Sequence, residues 1–185
     1  MNFKEFLVEE KLYTNEMKDF FLKRTKRHIS LVQKYAKLIE NKFHIKGLIN
    51  RAKEHDKSKY EYPEIDPYIL ITWDYKCKKE GIEFKLPKDI KEKMHEASEH
   101  HVHSNRHHPE FYDKNSEINK KSEKIVNATK MGELDIAEMC ADWLAMGEEM
   151  GNIAGEWADK NVNKRWKFTD KQKELIYKII EGIEG

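Results

Sequence analysis

One run of apolar residues at helical spacing constrains this chain more than anything else in it. Met17, Phe21, His28, Val32, Tyr35 and Ile39 fall on one face of a 3.6-residue repeat, with Leu31 at its edge. Thr14 or Asn15 can cap the helix, which extends to about Lys42. A stripe of that length must be buried against other helices. His28 lies in the middle of the stripe, where it is either a core histidine bonded to a neighbour or a ligand. Other groups must decide between the two.

The remaining pattern is helical too. Residues 2–11 read as a short helix, Leu48–Lys59 as another after Gly47, and 67–80 as a third that stops at Gly81. Tyr62-Pro63 and Asp66-Pro67 mark a loop between them. Ile82–Leu86 suggests a short extended piece, and Pro87 opens the next helix from a first-turn position. Residues 110–132 read as a long loop, with a short helix possible at Ser116–Asn127. Glu133–Met150 and 153–166 are two further helices. Thr169 with Gln172 forms a capping box opening the last, whose Leu175, Ile176, Ile179, Ile180 and Ile183 face inward. The expectation is an all-α single domain, a bundle of about six or seven helices spanning 1–185.

Composition narrows the function. Hydrophobic residues are 38% and charged residues 37%, but the charges balance to +1, against a general nucleic-acid binder. Cys77 and Cys140 are isolated, so no disulfide framework is expected. The first residues have no apolar core of the signal-peptide kind, and no run is long and apolar enough to span a membrane. A cytoplasmic protein is expected, with its oligomeric state open.

Three further features carry chemistry. In Arg51–Tyr60, His55 and Asp56 place a nitrogen and an oxygen ligand side by side, and Lys59 follows three residues later. On a helix the two ligands point about 100° apart, so both reach one ion only if it sits close to the backbone. Lys59 is either a solvated lysine or a point charge for a phosphate. Glu99–Glu110 holds five of the nine histidines. On a helical wheel Ile90, Met94, Ala97, His101, Asn105 and His108 share a face, with His100, His103 and His107 on its flank. The tract is an exposed polar helix end, a loose chelator, or part of a site. Asp135, Glu138, Asp142 and Glu149 lie within about 60° on the helix 133–150, a stripe facing either water or a metal-lined cleft.

Taken in order, His28, His55-Asp56 with Lys59, and Asp142 after Ala141 resemble the HD superfamily of metal-dependent phosphohydrolases. The segments His-Asp-x-Ser-Lys and Asn-Arg-His-His-Pro-Glu look, more narrowly, like a small uncharacterised HD-like family of bacteria and phages. The resemblance implies an HD-type helical fold and a divalent metal, Mn, Fe, Co, Ni or Zn, on His28, His55, Asp56, His101 and Asp142. The histidines of the cluster are spaced more tightly than the extra ligands of two-metal members, so one ion is implied, and a second is the variant. Metal-activated water would attack a phosphomonoester or nucleotide. Lys59 would contact the phosphate, His101 or His108 would protonate the leaving group, and Asn105 and Glu138 would orient histidines. The alternatives are an HD-type di-iron oxygenase and a non-catalytic metal-binding regulatory module.

Overall fold

The computed structural model describes residues 12–87, 90–116 and 125–185. The helix expected over 2–11 and the helix start expected just after Pro87 lie outside the described residues, as does most of the piece expected at Ser116–Asn127. Among the described residues there are seven α-helices. They are α1 (Asn15–Phe43), α2 (Leu48–Ala52), α3 (Ile65–Glu80), α4 (Ile90–Ser104), α5 (Glu133–Met150), α6 (Ala154–Asn161) and α7 (Asp170–Glu184). Two residues from each of β1 (Val126–Asn127) and β2 (Trp166–Lys167) pair in parallel, Val126 with Trp166 and Asn127 with Lys167. The expected all-α single-domain bundle is observed.

Helix α1 is the spine. Thr14 caps it by accepting the Met17 amide at 3.2 Å, and its buried face is Met17, Phe21, Thr25, His28, Val32, Ala36 and Ile39. Ala36 takes the place expected for Tyr35, which is only partly buried and donates its hydroxyl to Glu148. The stripe joins two apolar clusters. Met17 and Phe21 pack with Ile69, Leu70 and Ile90 of α3 and α4. Val32, Ala36 and Ile39 pack with α2, α5, α6 and α7. His28 falls between the clusters, so the fold carries a polar seam at the level where its apolar layers divide.

Three helices end earlier than the sequence suggests. The segment expected as one helix over Leu48–Lys59 stops at Ala52, passes through a turn, and resumes as a 3₁₀ turn over Lys57–Tyr60. Asp56 is left-handed at φ 57°, a conformation that a short polar side chain tolerates better than most. The helix through the histidine tract ends at Ser104, because His108 precedes Pro109 and is held extended at φ −93°, ψ 133°. The helix expected over 153–166 ends at Asn161, and Trp166 lies on β2 instead. Helix α3 begins at Ile65, so Pro67 sits in its first turn, where its missing N–H costs nothing. Helices α5 and α7 run as expected, and Thr169 and Gln172 form the capping box.

Candidate metal centre

The early ends of α2 and α4 build the site. With Asp56 in the left-handed region, His55 and Asp56 are no longer on a continuous helix, and both turn inward at 1% exposure. The turn after Ser104 brings His107 and His108 back beside His101, which the last turn of α4 supplies. Asp142 comes from α5 and His28 from α1. The five histidines form a continuous group, with ring centroids 5.6 Å apart for His28 and His55, 4.2 Å for His55 and His107, 4.2 Å for His107 and His108, and 4.8 Å for His101 and His108.

Four of these rings share one orientation. His28 points Nε2 at Asp142 Oδ1 (3.0 Å) and Asp56 Oδ2 (3.7 Å), with Nδ1 3.3 Å from Glu149 Oε2. His55 points Nε2 at Asp56 Oδ1 (3.7 Å) and Asp142 Oδ1 (3.8 Å), with Nδ1 on Glu138 Oε1 at 3.1 Å. His101 points Nε2 at Asp56 Oδ1 (3.3 Å), with Nδ1 on Glu64 Oε2 at 2.8 Å. His107 points Nε2 at the same Asp56 oxygen (3.7 Å), with Nδ1 3.6 Å from Glu138. Each ring thus faces a glutamate with one nitrogen and the inner aspartates with the other. Histidines that ligate metals are oriented in this way, their second nitrogen fixed by a carboxylate.

Several inner atoms lack partners. His55 Nε2, Asp56 Oδ1 and His108 Nε2 are buried without a hydrogen bond, although three imidazole nitrogens surround the Asp56 oxygen. Leaving such groups unpaired is costly, most of all for a carboxylate oxygen. Divalent cations would satisfy these atoms, so the donor set fits a metal. Three triads have ligand atoms within 4.8 Å of one another: His28, His55 and Asp56; His55, His107 and Asp142; and His101, His107 and His108. These buried His/Asp clusters could bind a metal. Because the triads share members, the donors extend over more space than one ion fills.

Electrostatics keeps the inner aspartates anionic and divides the histidines. Burial alone would raise the Asp56 carboxyl, but Lys59, His55 and His101 hold it well below the carboxylate range. Burial alone would raise Asp142 as well, but the hydrogen bond from His28 and the charges of His28 and His55 together bring it down to about 2. Burial would make His28 less basic, yet Asp142 and Glu149 push it up to about 9. His107 and His108 lie well below the usual histidine range, first through burial and then through neighbouring histidines. Neutral imidazole is the ligating form, so a cation would displace the proton that Asp142 and Glu149 hold on His28, and a neutral His108 suits a ligand or proton acceptor better than the proton donor expected from sequence.

The residues expected to hold a metal, orient its ligands or contact substrate all reach this centre. Lys59 is no solvated surface lysine: its Nζ is 2.5 Å from Asp56 Oδ2, and it lines a cavity of about 460 Å³ with His28, Asp56, His101, His108 and Asp142. Asn105 Nδ2 donates to Ser58 Oγ at 2.9 Å and lies 3.2 Å from His101 Nδ1, and Glu138 holds two histidines. The carboxylate stripe of α5 faces inward along its length. Asp135 is the exception in role, bonded to Arg51, Arg106 and Tyr112 instead of histidine. His100 reaches Glu64 at 2.7 Å from a half-exposed position, and His103 meets Ser116. His44 caps α1 and His95 is on the surface.

Sequence reasoning missed Glu64, Glu149 and His107 as members of the centre. Glu149 had a signal, since it lay on the stripe. Glu64 had none, because it sits in a loop among the prolines and joins His101 only through the tertiary fold.

Fold and site together define an all-helical domain with a buried histidine–carboxylate centre at the seam of its two cores. The chain belongs to a family of unknown function (DUF5662), which it matches over residues 17–182. No curated protein and no solved structure matches it. No helix among the described residues is long and apolar enough to cross a membrane.

Proposed function

We propose that this protein is a metal-dependent phosphohydrolase of HD type, acting on a phosphomonoester or nucleotide. The observation that carries the reading is the set of imidazoles with Nδ1 against glutamate and Nε2 turned toward Asp56 and Asp142. His28, His55, Asp56 and Asp142 would hold one divalent ion. His101, His107 and His108, sharing Asp56, would hold a second. Mixed nitrogen and oxygen donors suit Mn, Fe, Co, Ni or Zn. Such an ion, when bound, supplies a water nucleophile near neutral pH and polarises a phosphoryl oxygen.

The chain's own residues do the rest. Lys59 and Arg24 line the cavity that contains the inner ligands and give it positive charge toward an anionic substrate. Glu138, Glu64 and Glu149 fix the ring orientations, so the donor atoms are preorganised. Met146, Met150 and Ile71 give the cavity an apolar wall. A compact, cytoplasmic small-molecule enzyme is the setting this reading implies.

The test is elemental analysis of protein purified without chelator, followed by a phosphoester and nucleotide screen. Metal at one or two equivalents and turnover abolished by Asp56→Ala are expected. Tight metal binding with no turnover above the stripped protein would favour a non-catalytic module, and dioxygen consumption by an iron-loaded form would favour an oxygenase.

A further inference from the structure

A second cavity, of about 350 Å³, opens beside the metal centre, near the lower end of the size range of small-molecule sites. The two cavities share Val102, His108, Asp142, Met146 and Met150 in their walls, so they meet at the inner ligands. The far side of the second one is aromatic. Trp143 and Trp166 stack at 5.6 Å with planes 17° apart, and Trp157 lies 6.4 Å from Trp166. Trp157 and Ile153 line the cavity while 45% and 56% exposed, which leaves an apolar rim open to solvent. Gly147 permits this shape: a Cβ there would stand 2.9 Å from the carbonyl oxygen of Asn152, whose loop folds over the end of α5.

Away from the shared ligands, one buried acid stands in this surround. Glu110 is 2% exposed and lines the cavity. Its Oε1 accepts from Trp166 Nε1 at 2.9 Å and Arg165 Nη2 at 3.2 Å, while its Oε2 is buried with no hydrogen bond. A buried carboxylate oxygen without a donor is not explained by packing, and none of the metal-site groups uses it. Arg165 balances the charge at Oε1, while the unpaired Oε2 calls for an N–H donor. Flat indole faces favour a planar π system.

We propose that this pocket binds the nitrogen heterocycle of the substrate, stacked on the tryptophans and donating an N–H to Glu110, while its phosphate lies in the adjoining metal cavity. The proposal rests on the phosphohydrolase reading and narrows its substrate to a base-bearing phosphoester. It excludes sugar phosphates that have no ring system of this kind.

Three of the four tryptophans line the pocket, so intrinsic fluorescence reports binding directly. The full chain is titrated with adenosine, guanosine, cytidine and uridine monophosphates, the parent nucleosides, ribose 5-phosphate and phosphocholine. Saturable quenching by at least one nucleotide and its nucleoside is expected, with ribose 5-phosphate at least tenfold weaker. Trp157→Ala, at a partly exposed position that threatens the fold least, should weaken that binding about tenfold, the usual loss of a base–aromatic stack. Glu110→Gln should reduce the preference among bases, with a melting curve confirming the fold. Ribose 5-phosphate binding as well as the nucleotides, phosphocholine binding best, or Trp157→Ala binding unchanged would each overturn the proposal. The two readings fail separately. Nucleoside binding by a parent protein that takes up no metal sinks only the hydrolase. Asp56-dependent hydrolysis of ribose 5-phosphate at nucleotide rates sinks only the base pocket.

Discussion

Replacing Glu138 by glutamine keeps the shape of the side chain and removes its charge, at a position where one carboxylate serves two histidines. Glu138 Oε1 lies 3.1 Å from His55 Nδ1 and 3.6 Å from His107 Nδ1, and Oε2 lies 3.5 Å from Arg51 Nε. The carboxylate fixes both rings with Nδ1 protonated and makes Nε2 a better donor. Loss of one such partner usually costs 10–100-fold in metal affinity. Because the 3.1 Å contact is a hydrogen bond and the 3.6 Å contact is looser, the upper half of that range is expected, about 30–100-fold, or roughly 2–2.7 kcal/mol. Competition with a fluorescent chelator for Mn²⁺ or Zn²⁺ measures it, with circular dichroism confirming the helices. If Glu138→Gln bound metal within threefold of the parent while remaining folded, the carboxylate would not be orienting ligands, and the reasoning that links outer glutamates to inner nitrogens would be refuted.

Other perturbations separate structural from functional carboxylates. Asp135 is 3% exposed and bonded to Arg51, Arg106 and Tyr112, so Asp135→Asn should cost about 2–3 kcal/mol at pH 7 in urea unfolding, less than a fully buried pair because Arg106 is half exposed. Arg106, Tyr112 and Arg51 outweigh burial and hold its carboxyl below the usual range. Its stabilising effect is therefore present above about pH 4 and lost as pH falls through the depressed value, so the gap between the two proteins should narrow progressively below about pH 4; a gap that stayed constant with pH would contradict this. Adding Mn²⁺ or Zn²⁺ at a hundred times its dissociation constant should raise stability by about 2.7 kcal/mol, seen as a higher melting temperature that chelator reverses and that Asp56→Ala lacks. Thr169→Ala removes the cap that accepts the Gln172 amide at 3.3 Å and should cost about 1 kcal/mol without altering metal affinity.

What the sequence made legible followed regular spacing. Met17 to Ile39 and the inward isoleucines of α7 repeat at the helical period, so their burial could be read without a fold. The same arithmetic placed His28 in the stripe and Asp142 among the carboxylates of α5. It failed where the helix itself stopped. A wheel drawn through Asn105 and His108 assumes a helix that Pro109 ends at Ser104, and only the resulting turn carries His107 inward from the flank. The inner placement of both His55 and Asp56 likewise depends on a left-handed residue at 56, which no periodicity foretells. Glu64 precedes α3 and Glu110 lies in a single 3₁₀ turn, Pro109–Tyr112, and their partners, His101 and Trp166, are 37 and 56 residues away. Contacts of that range are properties of the packed chain.

Anomalous diffraction from crystals grown with Mn²⁺ or Zn²⁺ tests the central claim most directly. A strong peak bounded by His28, His55, Asp56 and Asp142 is expected, and its disappearance in crystals of Asp56→Ala. A map with no peak at that position, or with the metal held only by surface histidines such as His95 and His100, would contradict it.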